Sequence, residues 1–125
     1  MQLLLDTHIY LWWIKNDRQL SKAARSLISS AEKVYISSAS IWEIAIKVKL
    51  GKLEADLEKV VNGFFEDDFL ELPITMQHAM AVSKLPGIHR DPFDRILIAQ
   101  AMSEPLRFLT VDRLLREYSE LVEVI

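Results

Sequence analysis

The 125-residue sequence contains no cysteine. Disulfide frameworks, thiolate zinc sites and cysteine nucleophiles are therefore excluded. Any metal must rely on oxygen ligands, with three histidines as the only nitrogen candidates. Glycine (3) and proline (4) are scarce, so turns are few and elements follow one another closely. No apolar run approaches the ~20 residues that span a bilayer. Asp6 interrupts the first apolar stretch, Leu3-Leu4-Leu5, and no basic segment precedes it, which argues against a signal peptide. The expected location is cytoplasmic, with no membrane partner. Positive charge is not in excess either, because 15 Lys and Arg stand against 18 Asp and Glu. A generally basic nucleic-acid surface is excluded, while a local basic rim is not. The nucleotide-cradle signatures G-x-x-x-x-G-K-[ST] and G-x-G-x-x-G and the serine-hydrolase elbow G-x-S-x-G are also missing.

What is present is a core-forming composition, 50% hydrophobic and 26% charged. Its length suits a single domain over residues 1–125. Short apolar runs alternate with helical patterns, which predicts an α/β fold of three layers, α/β/α, around a mostly parallel four- or five-stranded sheet. Strands are expected at Leu3–Leu5, Val34–Ser37, Phe69–Leu72 and Arg107–Thr110, with a fifth at Leu121–Ile125. Helices are expected after Asp6, from Ser21, across Ile41, Ile44, Ala45 and Val48 to Gly51, and from Glu54 to Phe65. Others run from Thr75 to Lys84, after Asp91-Pro92, where proline marks a helix start, and briefly after Asp112.

Three acids then fall at strand-to-helix junctions, the edge of a parallel sheet where ligands bind. Asp6 follows the first strand, Glu43 lies in the helix after the second, and Asp112 follows Thr110 at the end of the fourth. Asp94 opens a helix that returns across the sheet. Each acid taken alone has a capping explanation. Asp6 and Asp112 suit N-caps, and Ser40-Ile41-Trp42-Glu43 matches a capping box in which Glu43 also reaches Lys47. Asp91 and Asp94 suit the dipole of their helix. As a set they read differently. Converging carboxylates repel and take up protons unless a cation neutralises them, and an all-oxygen cluster suits Mg²⁺ or Mn²⁺.

Four blocks carry a family resemblance: Leu3-Leu4-Leu5-Asp6-Thr7, Ser40-Ile41-Trp42-Glu43-Ile44, His89-Arg90-Asp91-Pro92-Phe93-Asp94-Arg95-Ile96-Leu97-Ile98-Ala99-Gln100-Ala101 and Leu109-Thr110-Val111-Asp112. In this order, over essentially the whole chain, they resemble PIN domains, and among them VapC-type toxins of bacterial toxin–antitoxin pairs. The resemblance implies a Mg²⁺- or Mn²⁺-dependent endoribonuclease that hydrolyses RNA to 5′-phosphate and 3′-hydroxyl ends. It implies Asp6, Glu43, Asp94 and Asp112 as the catalytic quartet, with Asp6, Asp94 and Asp112 holding the metal. Thr7 and Thr110 are the supporting hydroxyls, and Asp91 is either a helix cap or a further metal-site acid. It also implies an antitoxin protein as partner and a homodimer. The alternatives are a catalytically silent binding module and a phosphoryl-accepting receiver-like domain.

The remaining candidates read plainly. His8, His78 and His89 show no metal-ligand spacing and read as surface or packing residues. Trp12, Trp13 and Trp42 read as core, although adjacent Trp12 and Trp13 cannot easily face one way, leaving one for a partner surface. Lys47, Lys49, Lys52, Arg90, Arg95, Arg113 and Arg116 lie near the acidic edge in sequence and supply candidate phosphate contacts.

Overall fold

The computed structural model describes residues 1–125. Five strands form one sheet: β1 (Gln2–Leu5), β2 (Lys33–Ser37), β3 (Leu70–Leu72), β4 (Arg107–Thr110) and β5 (Val122–Val124). Every pairing is parallel, and the spatial order is β3-β2-β1-β4-β5. Six α-helices connect them: α1 (Thr7–Lys15), α2 (Lys22–Ser30), α3 (Ser38–Lys49), α4 (Leu57–Glu66), α5 (Met76–Val82) and α6 (Pro92–Ser103). A 3₁₀ helix over Arg113–Tyr118 joins β4 to β5.

Alternation along the strands explains the three layers. Leu3, Leu5, Val34, Ile36 and Leu109 point to one face, where they pack with Ile9 and Tyr10 of α1, Ile28 of α2, Ile44 of α3 and Val60 of α4. Leu4, Phe108 and Val122 point to the other, against Leu97, Ile98 and Ala101 of α6 and Leu115 of the 3₁₀ helix. Register aligns Leu70, Tyr35, Leu4, Phe108 and Val122 in one row across the sheet. Each fully buried Leu or Phe stabilises the fold by about 1.5–3 kcal/mol. Strands buried on both faces therefore appear in the sequence as continuous apolar runs.

The expected elements are present within a few residues, and their ends have local causes. Asn16 ends α1 in the left-handed conformation at φ 52°, and Gly51, at φ 71°, follows the Leu50 cap of α3. One expectation fails. Ser40 does not open a capping box: α3 starts earlier, directly after β2, with the Ser37 hydroxyl accepting the Ala39 N–H at 3.0 Å. Ser40 is instead inside the protein, accepting a hydrogen bond from the Thr7 hydroxyl at 2.9 Å.

The strand order fixes where a site can form. The chain moves outward through β1, β2 and β3, then crosses back to place β4 on the other side of β1. The direction of winding reverses between β1 and β4, and the crevice beyond their carboxyl ends is the favoured ligand position in such sheets. β3 is one of the two edge strands and ends in Leu72-Pro73 without an acid, so a receiver-like arrangement finds no support.

Candidate active site

At that crevice Asp6 leaves β1, and its backbone N–H continues the β1–β4 ladder to the Leu109 carbonyl at 2.9 Å. Asp6 holds the N-cap position of α1, yet its side chain caps nothing. It accepts the Thr110 hydroxyl instead, Oγ1 to Oδ2, at 2.6 Å. Thr110 Oγ1 also accepts the Asp112 N–H at 3.1 Å, so one buried hydroxyl fixes two acids. Burial pushes the Asp6 carboxyl above its ordinary range, against the lowering effect of the Thr110 bond.

The other acids enter from α3, α6 and the end of β4. Glu43 is buried and accepts from Lys47 Nζ at 2.8 Å, the expected i, i+4 pair. That bond raises the Lys47 ammonium, with the charges of Asp91 and Asp94 contributing. Asp91 caps α6, accepting the N–H groups of Phe93 and Asp94 at 2.8 and 3.2 Å. The adjoining Asp94 side chain is partly buried and has no capping task. Burial first, then the charges of Asp6, Asp91, Glu43 and Asp112, push its carboxyl to about 8. Asp112 caps the 3₁₀ helix through the Leu114 N–H at 3.0 Å and occupies the more open lip. Thus the charges of Asp6, Asp91, Glu43 and Asp112 all reach Asp94, and that of Glu43 reaches Asp6. The ligand atoms that lie within 4.8 Å of one another belong to Asp94, Asp112 and His89, without Asp6 or Glu43, and Asp91 is also engaged in its helix cap.

His89 overturns its expected surface or packing role. Its Nε2 lies 3.1 Å from Asp112 Oδ2 and 3.4 Å from Asp94 Oδ2, on the mouth of the acidic cluster. The sequence separates His89 from Asp112 by a helix and a strand, so no local spacing reveals the meeting. His78 is a packing residue, buried between Thr75 and Glu104, and His8 is exposed. Arg95 is also not where its position suggested. Its guanidinium is engaged by the end of α5 and the loop before α6, donating to the carbonyls of Val82, Leu85, Pro86 and His89. Arg90, Arg113, Arg116, Lys49 and Lys52 are exposed; Lys49 ends α3, the helix that starts at the crevice edge and runs away from it.

Trp42 is a further correction. It is 60% exposed rather than core, and stacks edge-on against Phe93 with ring centroids 5.3 Å apart. With Ile41, Ala45, Val61, Phe64 and Phe65 it lines an apolar groove of about 400 Å³ between α3 and α4. Trp12 and Trp13 are half-buried, and Trp13 donates its indole N–H to Asp67 at 2.9 Å.

The family model for the PIN domain matches residues 3–121, which spans every element of the site. The chain belongs to the PIN domain family. Among curated relatives of this PIN domain, Ribonuclease VapC22 of Mycobacterium tuberculosis is 28% identical over 119 residues, covering 93% of this chain and 91% of that protein. VapBC2 from Rickettsia felis, solved bound to a DNA fragment from its promoter, superposes with a TM-score of 0.76 at 16% identity, over 99% of this chain and 98% of the other. A toxin–antitoxin complex from Klebsiella pneumoniae gives 0.69 at 18% identity, over 98% and 96%. At such identities these two likenesses show the fold.

Proposed function

We propose that this PIN domain is a Mg²⁺- or Mn²⁺-dependent endoribonuclease and the toxin of a toxin–antitoxin pair. The observation that carries the reading is the placement of Asp6 and Asp112 at the ends of β1 and β4, tied by Thr110, with Asp94 meeting Asp112 at His89 and the charge of Glu43 reaching Asp94. Two of these carboxyls, Asp6 and Asp94, are pushed upward, first by burial and then by the charges of neighbouring acids. Lys47 pairs with Glu43, so it leaves the other acids without a full counter-charge. The oxygen-rich donor set fits a hard divalent ion. Asp6, Asp94 and Asp112 would hold it, with Glu43 behind them. A bound divalent ion supplies activation of water and neutralisation of charge at the phosphodiester. The chain's own contribution is order: Thr110 fixes Asp6 and the Asp112 backbone, Thr7 ties α1 to α3 through Ser40, and Asp91 sets the start of α6. The exposed Arg90, Arg113 and Arg116 supply a basic rim for the RNA backbone. The relative's name, Ribonuclease VapC22, supports the substrate class.

Purified protein is expected to cut RNA with Mg²⁺ or Mn²⁺ and to stop when EDTA is added. Gel analysis of a labelled RNA checks this, and cutting that survives complete metal removal refutes the metal role. A silent binding module would keep the fold and show no cleavage under either condition.

For the partner, the apolar groove beside Trp42 and Phe65 suits an apolar segment of an antitoxin. Trp42 and Phe65 are 60% and 68% exposed in the single chain, and a fold neighbour is described as a toxin–antitoxin complex. Because Trp42 touches Phe93, next to Asp94, a segment seated there lies beside the acidic crevice. The exposed Met76 and Met80 of α5 supply a second apolar face, suited to self-association. Sedimentation of the chain alone and with its antitoxin reads both surfaces. A homodimer is expected alone, and Trp42→Ser with Phe65→Ser is expected to weaken antitoxin binding by about tenfold or more while leaving the dimer intact. Unchanged antitoxin affinity in the double variant places the antitoxin elsewhere. A cytoplasmic location is part of the same proposal; separately, no helix is long and apolar enough to cross a membrane.

A further inference from the structure

His89 brings a nitrogen to a cleft otherwise built from oxygens, and both of its ring nitrogens are engaged. Nδ1 lies 3.1 Å from the Asp91 backbone N–H. An amide N–H only donates, so Nδ1 accepts and Nε2 carries the ring hydrogen. That hydrogen is directed at Asp112 and Asp94. His89, Asp94 and Asp112 do offer atoms within 4.8 Å of one another, close enough to surround an ion. However, a ligating nitrogen must present a lone pair, and Nε2 has none while Asp91 holds Nδ1. The ring is set up to donate, not to ligate.

The loop that carries it is clamped from behind. Arg95 Nη1 donates to the carbonyls of Pro86 at 3.0 Å and His89 at 3.2 Å and to the Tyr118 hydroxyl at 3.2 Å. Its Nη2 donates to Val82 and Leu85 at 3.2 and 3.4 Å. The Tyr118 hydroxyl accepts the His89 backbone N–H at 2.8 Å. A planar, permanently charged fork with this many carbonyl partners fixes a loop far more tightly than a lysine would. Gly87 sits inside this loop, and the short turn has little regular structure of its own, so these bonds define its course.

We propose that His89 is the phosphate-contacting donor of the site rather than a metal ligand, and that Arg95 and Tyr118 are its positioning residues. The proposal rests on the nuclease reading above. With the charge of Asp94 and Asp112 answered by a cation, the Nε2–H now shared between those two carboxylates can pass to an anion that enters beside them, where the His89 side chain is 20% exposed. The acceptor it suits there is a non-bridging oxygen of an RNA phosphate, which is anionic and accepts only.

Mn²⁺ affinity by electron paramagnetic resonance, and single-turnover RNA cleavage over a range of enzyme concentrations, test this on the full chain. His89→Ala is expected to leave Mn²⁺ affinity within about twofold while raising the half-saturating concentration about ten- to a hundredfold, as for loss of a charge-assisted hydrogen bond. The maximal rate should change less. His89→Gln keeps a neutral N–H donor near Nε2 and is expected to restore most of the loss. Tyr118→Phe removes one hydroxyl and should shift half-saturation in the same direction by less, adding little in the His89→Ala background. A loss of Mn²⁺ affinity of about tenfold or more in His89→Ala overturns the proposal by making His89 a ligand. Unchanged half-saturation overturns it by making His89 a loop residue only, and fully additive Tyr118 effects remove the positioning role. A wild type that binds Mn²⁺ but never cuts RNA refutes the nuclease reading and the phosphate role together, while the Mn²⁺ comparison still decides whether His89 is a ligand.

Discussion

Asp94→Asn is expected to make the metal-free protein more stable and to abolish RNA cleavage. The sign follows from where the proton sits. The Asp94 carboxyl lies at about 8 in the folded chain, raised by burial and by four neighbouring acids. In the unfolded chain it returns to about 4. Between these values the folded state binds the extra proton, so stability falls as pH rises from about 4 to about 8. The cost is complete above that window, where the folded carboxylate is charged. Asparagine never ionises and removes the slope. The side chain is only 19% exposed, so screening by water is partial. The gain near pH 8 is on the order of a few kcal/mol, against a loss of about 0.3–1 kcal/mol of helix-dipole interaction at the start of α6. Near pH 5 the two proteins should be close. Mg²⁺ should stabilise the wild type by mass action and the variant much less. Urea melts in EDTA and in Mg²⁺ at both pH values measure all of this. A variant no more stable than wild type near pH 8 in EDTA, and still cutting RNA, reduces Asp94 to a helix-terminal residue.

The architecture was legible because its signals are local. A strand buried on both faces must be an unbroken apolar run, so Leu3-Leu4-Leu5 and Phe108-Leu109 mark β1 and β4 without tertiary knowledge. Asp91-Pro92 fixes the start of α6 through backbone chemistry alone. The acids were legible as junction residues for the same reason. What the sequence hid depends on partners distant along the chain. Ser40 looks like a cap, but Ser37 starts the helix earlier and Thr7, 33 residues away, claims the Ser40 hydroxyl. Arg95 looks like a phosphate contact because its charge is visible and its carbonyl partners are not. Trp42 looks like core because tryptophan usually is, whereas its position on α3 turns it outward over the α4 groove. His89 meets Asp112 across 23 residues, and no periodicity encodes that approach.

Thr110→Val should cost activity about ten- to a hundredfold with the fold intact, because one hydroxyl serves two acids at once. Valine matches threonine in shape and strand preference, so β4 and its packing persist. The deletion removes the 2.6 Å donor to Asp6 and the acceptor of the Asp112 N–H. A buried carboxylate that loses such a donor loses about 1.5–3 kcal/mol, equal to that range of rate if the ionised form is the one used. The direction with pH is also fixed. The Thr110 bond lowers the Asp6 carboxyl against the upward push of burial, so valine lets it rise further. Asp6 then keeps its proton to higher pH and offers the ion one charge fewer, and the rise of kcat/KM with pH should move upward. Thr110→Ser retains the hydroxyl and is expected to keep most of the activity and the wild-type profile. Profiles of kcat/KM against pH for the three proteins, with urea melts to confirm folding, measure the effect. A valine variant with the wild-type rate at every pH would mean that Asp6 is held by burial alone, and that the hydroxyl is a packing group of β4.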